Sequence, residues 1–90
     1  MNRTVITVVG KDKVGIMAKV CNYLAENSIN VLDISQTIVQ GFFNMMMIVD
    51  ANDTPKDLDK ISEELEQIGN DIGVTIRTQH EDIFDKMHRI

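Results

Sequence analysis

Cysteine is almost missing from this sequence: Cys21 is the single one in 90 residues. One thiol cannot close an internal disulfide or supply a Cys-x-x-Cys metal pair, which excludes a disulfide scaffold and points to a reducing, cytoplasmic setting. Tryptophan is absent, and the aromatics come to three Phe and one Tyr. Reading unstacked bases takes aromatic platforms and a basic face. Nine basic residues against fourteen acidic ones, a net charge of −5, provide no such face, so no nucleic-acid partner is expected. No apolar run approaches the roughly 18 residues of a membrane span. The start Met1-Asn2-Arg3 leads straight into a strand pattern with no signal-peptide core, so no membrane association is expected either.

What is present reads as one globular domain. Apolar residues make up 43% and charged residues 26%, an ordinary balance for a folded chain rather than a disordered one. A domain of this size buries roughly 60–65% of its unfolded surface, enough for one core. The charge is uneven: Asp50 to Asp71 holds eight acids and two lysines, and the remainder is close to neutral.

Arg3 to Val9 is rich in Val, Ile and Thr and nearly all apolar from Val5 onward, the pattern of a central strand buried on both sides. The strand is expected to stop at Gly10. Asp12 then serves as N-cap for a helix over about Lys13 to Glu26, with Ile16, Val20 and Leu24 on its apolar side and Asn27 as a left-handed stop. Asn30 to Val39 and Phe42 to Asp50 read as strands joined by a tight Gln40-Gly41 turn. That register sets Val39 opposite Phe42, Thr37 opposite Asn44 and Asp33 opposite Ile48. It puts Leu32, Ile34, Ile38, Phe43, Met45, Met47 and Val49 on the core face. Thr54 and Pro55 open a second helix whose Leu58, Ile61, Leu65, Ile68 and Ile72 recur at 3-4-3-4 spacing up to Gly73. Val74 to Gln79 alternates as a half-buried strand. Glu81 to Ile90 gathers Ile83, Phe84, Met87 and Ile90 on one helical side.

The order β-α-β-β-α-β implies an α+β, ferredoxin-like sandwich. It has a four-stranded antiparallel sheet in order 4-1-3-2, two helices on one face, and a short C-terminal helix. Residues 1–80 would form the domain and 81–90 a helical extension. The second strand falls on an edge, and an edge of that length calls for a partner.

Chemistry on this scaffold is sparse. The first loop holds Lys11 and Lys13 but no arginine, nucleophile or base, so no catalytic residue and no cofactor are assigned. His80 and His88 stand eight apart, which matches no helical ligand pair, and no metal site is assigned. Cys21 on the inner side of the first helix reads as a buried, inert thiol. Of Met45-Met46-Met47, only Met46 points away from the core. The acids of the second helix read as a solvated face. The strand-glycine-helix passage around Gly10 and Gly15 is the one place where bare backbone N–H groups offer a ligand site.

Strand, then Asp12-Lys13-Val14-Gly15-Ile16, then helix, then Ile29-Asn30-Val31 opening the second strand, resembles the ACT domain family over about residues 3–79. The run Asp33-Ile34-Ser35-Gln36-Thr37 and the ending through Ile83-Phe84 are similar to the small stand-alone bacterial members. The chain departs from many members at Val14, where they carry proline, and at Gly10, where some carry a polar side chain. The resemblance implies a regulatory homodimer, paired side by side through the second strand. Its effector would be an amino acid or similar small metabolite bound at the dimer interface. By motif, the ligand contacts fall on Asp12, Gly15 and Ile16 of one chain and on Asn30 and Val31 of the other. No enzyme domain is fused, so the regulated protein is a separate partner. The alternative is a ligand-free interaction module that recruits a partner through its dimer and its acidic helix.

Overall fold

A computed structural model describes residues 3–11 and 14–80. Six elements follow in the expected order: β1 (Arg3–Lys11), α1 (Ile16–Glu26), β2 (Asn30–Val39), β3 (Phe42–Asp50), α2 (Leu58–Ile72) and β4 (Val74–His80). The strands form one antiparallel sheet in the order β2-β3-β1-β4, the expected 4-1-3-2 counted from its other edge. The expected helix over 81–90 lies outside the described residues.

Alternate residues of the inner strands form the core. Ile6 stands opposite Met47 and Thr78, and Val8 opposite Met45 and Ile76. Ile6, Val8, Met45, Met47 and Ile76, with Phe43, Val49 and Val74, pack against Ile16, Val20 and Leu24 of α1 and Ile61 and Leu65 of α2. Because every buried strand residue of this cluster shares one parity, both helices cover the same face. β1 is not buried on both sides along its length: Val9, on the face turned away from the helices, is 46% exposed.

The β2–β3 turn has positive φ at both Gln40 (51°) and Gly41 (82°), the signature of a two-residue type I′ hairpin whose twist matches its strands. Val39/Phe42, Thr37/Asn44 and Asp33/Ile48 pair as expected. Beyond Asp33 the register slips. Val31, not Leu32, stands opposite Val49, so Leu32 is an extra residue in a β-bulge. Ile34 and Ile38 lie on the expected face, opposite Met47 and Phe43, but they are not buried. Ile34 is 40% and Ile38 56% exposed, as are all ten residues of the strand to some degree. The buried residues of β1, β3 and β4 pack with those of the helices, whereas every residue of the edge strand β2 is exposed.

Both helices begin later than their capping signals suggest. α1 is capped by Gly15, whose φ of 92° turns the chain, with no side-chain cap; Asp12 is therefore not its N-cap. α2 is capped by Asp57, whose carboxylate accepts from the Lys60 N–H at 2.9 Å, while Thr54 Oγ1 accepts from the Lys56 N–H one turn earlier. The left-handed residue after α1 is Ser28 (φ 58°) rather than Asn27, whose side-chain amide instead donates to the Tyr23 carbonyl. Gly73 stops α2 in the left-handed region, as expected. β1 runs through Gly10 to Lys11. A Cβ on Gly10 would stand 2.7 Å from a Val74 methyl, so the lack of a side chain there is a packing requirement of the β1–β4 pair.

Candidate ligand site at the ends of the sheet

The first half of the expected site is the entry to α1. Gly15 is exposed, and nothing lies within 4 Å of where its Cβ would be. Glycine is needed there for its backbone conformation, which costs other residues about 1–2 kcal/mol, and not for want of space. The first helical hydrogen bond runs from the Lys19 N–H to the Gly15 carbonyl at 3.0 Å. Helix geometry leaves the preceding N–H groups with no acceptor inside the helix. Ile16 is only 2% exposed and its side chain belongs to the core, so that position offers backbone alone. Val14 beside it is fully exposed. Asp12 lies outside the described residues.

The second half opens β2. Asn30 is exposed and stands opposite Asp50, while Val31 stands opposite Val49 just before the bulge. The two halves do not meet within one chain. β1 carries the chain from Arg3, opposite Asp50, to Lys11, opposite Phe42. Asn30 is thus at the Arg3 end of the sheet and the α1 entry follows the Lys11 end, with eight strand steps, roughly 26 Å, between those ends.

A polar cluster of another kind was not visible in the sequence. The Tyr23 hydroxyl donates to Glu64 Oε1 at 2.8 Å, the Lys56 ammonium donates to the same oxygen, and Lys56 Nζ sits 5.6 Å above the Tyr23 ring. Burial first, then the hydrogen bond to Glu64, pushes the Tyr23 phenol well above its ordinary value. The hydrogen bond from Lys56, then that from Tyr23, holds the Glu64 carboxyl below its ordinary value. Tyr23 and Glu64 are 41 positions apart, so no local spacing announces the contact. The cluster ties α1 to α2, and its groups satisfy one another. Cys21 is half-buried against the core. Met45 and Met47 are buried and Met46 exposed, as the strand pattern implies. Among the described residues no group of three His, Cys, Asp or Glu side chains is placed to hold a metal ion. No helix among them is long and apolar enough to cross a membrane.

A family model described as the ACT domain matches residues 2–79. The chain belongs to the ACT domain family. ACT domains are a regulatory, small-ligand-binding type of module, not a catalytic one, and they commonly pair. This ACT domain is 60% identical to a UPF0237 protein of Bifidobacterium longum over the full length of both chains. It superimposes on an ACT domain protein from Streptococcus pneumoniae with a TM-score of 0.81 at 41% identity, covering 92% of this chain and 93% of that one. The regulatory subunit of aspartate kinase from Thermus thermophilus, in a ligand-free form, is a further match. Its TM-score is 0.67 at 28% identity, over 88% of this chain and 51% of that one.

Proposed function

We propose that this ACT domain is a cytoplasmic homodimer that binds an amino acid or a similar small metabolite at its interface and passes the signal to a separate protein. The observation that carries the reading is the opposite placement of the two half-sites together with the bare β2 edge. If two β2 edges pair antiparallel about a two-fold axis, each strand's Asn30 end lies beside the partner's Val39 end. The partner's loop between Lys11 and Gly15 stands at that same end. Asp12 and the backbone at Gly15 and Ile16 then face Asn30 and Val31 across the interface, and neither half serves alone. The backbone N–H groups at the α1 entry suit the ligand's carboxylate, and Asn30 can accept from its ammonium. The likeness to the regulatory subunit of aspartate kinase supports a regulatory role in which the controlled activity resides elsewhere.

Thermal melting in the presence of each amino acid at millimolar concentration tests this. A ligand at a hundred times its Kd adds about 2.7 kcal/mol to a fold that alone binds it. The expected result is a clear rise of the midpoint for one amino acid or a small group of them, abolished in Asn30→Ala. No rise with any of them removes the ligand from the proposal. A second reading, a ligand-free module that recruits its partner through the dimer and the acidic helix, is favoured by the exposure of Asp59, Glu63 and Glu66 on α2. Partner capture that survives Asn30→Ala but is lost on reversing Glu63 and Glu66 to lysine would select it.

A further inference from the structure

The exposed isoleucines of β2 do not stand alone, because one flank of α1 looks out over them. α1 links β1 to β2, which lie on either side of β3, and its Ile16, Val20 and Leu24 share the core with Phe43, Met45 and Met47 of β3. The helix therefore runs above β3, and it touches both α2 and β2. Tyr23 marks its α2 side through the hydrogen bond to Glu64, and the fully buried Val20 marks its sheet side. Each residue turns the helix by about 100°, so Cys21 stands about 200° round from Tyr23, away from α2 and toward β2. Met17 and Ala25 lie one turn before and after Cys21 on the same flank. Met17 and Cys21 are half-buried against the edge of the core, and Ala25 is exposed.

Flank and strand make an apolar corner, with Met17, Cys21 and Ala25 as its wall and Ile34 and Ile38 as its floor. None of these five is charged, in a chain with 26% charged residues. The two charged residues of α1, Lys19 and Glu26, fall four before and three after Tyr23 and so lie on its side of the helix. An apolar patch from which charge is withheld has the composition of an interface core.

Strand spacing decides what can fill the corner. With two β2 edges joined, one β3 stands three strand spacings from the other, about 14 Å. Two helices in contact lie about 8–10 Å apart, so the gap between the two α1 helices takes a layer of side chains and no third helix. We propose, resting on the side-by-side dimer set out above, that the Met17-Cys21-Ala25 flank of α1 packs against the same flank of a second copy over a floor of Ile34 and Ile38 from both chains. The interface is then two layers deep, strand on strand below and helix on helix above. Each α1 has the ligand's half-site at its entry and the subunit contact along its flank.

Two measurements on the full chain separate this contact from dimerisation itself. Ala25→Arg puts a long charged side chain on the flank, at a position the single chain leaves exposed, and keeps a good helix former. Light scattering on dilution is expected to show the dimer weakened about tenfold or more. Glu26→Arg, on the α2 side, is expected to leave the dimer unchanged. A wild-type dimer that Ala25→Arg does not weaken, or that Glu26→Arg weakens equally, overturns the helix contact and leaves strand pairing standing. A wild-type chain that is monomeric overturns both. Cys21, the only thiol, reports independently. Its reaction with iodoacetamide is expected to be several-fold slower in the dimer than in the chain diluted to monomer. Equal rates overturn the helix contact.

Discussion

Along the β4 edge of the sheet α2 lies so close that a Cβ on Gly69 would stand 2.7 Å from the Val74 carbonyl, whereas along the β2 edge all ten residues are exposed. Both edge strands present apolar side chains toward the helix side. On β4, Val74 and Ile76 are buried by the chain's own helix. On β2, Ile34 and Ile38 remain open. One edge is thus completed within the chain, and the other has apolar surface that the chain itself does not use. Uncovered apolar residues on an unpaired edge are a liability unless something pairs with them. The difference marks β2 as the edge whose apolar residues the chain leaves exposed.

The largest expected effect comes from prising the closed edge open. Gly69→Ala gains helix propensity of up to about 1 kcal/mol but drives a methyl group into backbone, which costs about 1–3 kcal/mol in a packed core. A net loss is expected, read as a lower denaturant midpoint at unchanged slope. An unchanged midpoint would mean that α2 is free to slide away from β4.

The next effect sharpens how α2 is held. Tyr23→Phe removes the hydrogen bond to Glu64 and should cost about 0.5–1.5 kcal/mol. Its pH signature is specific. A carboxyl held below its ordinary value of 4.5 stabilises the fold above that value and loses the contribution as pH falls through the folded value. A phenol held above its ordinary value of 10.0 stabilises the fold below 10.0 and loses the contribution as pH rises through the folded value. Melting midpoints of the wild-type chain should therefore carry both slopes, one at each end of the range. In Tyr23→Phe the alkaline slope from this residue should vanish and the acid slope weaken. Superimposable profiles would show that the cluster is not formed in solution.

The smallest effect on the fold itself is expected at the open edge. Ile38→Glu alters a side chain that the chain does not bury, so the stability of the single domain should change by about 0.5 kcal/mol or less. Light scattering should nevertheless report a shift from dimer to monomer. A wild-type chain that is already monomeric at micromolar concentration would break the comparison outright, since the bare edge would then stand without a partner.

The parts of this architecture that were legible in the sequence are those set by local pattern. Alternation across Gln40-Gly41 specified the hairpin register as far as Asp33, because a two-residue turn leaves no freedom of pairing. The 3-4 stripe of α2 located its buried face at Ile61 and Leu65. What escaped depends on geometry or on distant partners. A bulge at Leu32 adds one residue without changing composition, and period-two reading has no sign for it. Asp12 and Asp57 are equally good caps on paper. Only the chain's path makes Asp57 a cap and passes that role to Gly15 at the first helix. Gly10 resembled part of a ligand loop because its constraint, a methyl of Val74, comes from 64 positions further along. At the candidate site, Gly15 was recognised as special for its position, but its reason is a φ of 92°. Ile16, a site residue by motif, is a core side chain. Asn30 and Val31 were placed correctly at the start of the edge strand, and their separation from the α1 entry is a property of the sheet as a whole.

The bulge at Leu32 has a meaning beyond register. A flat, regular edge of ten residues would accept incoming strands in many alignments and could be extended without limit, the route by which sheets grow into aggregates. An extra residue between Val31 and Asp33 twists that edge and divides it into a two-residue start and a regular run from Asp33 to Val39. The irregularity therefore makes this edge a poorer template for the stacked, open-ended ribbon than a flat strand of the same length would be.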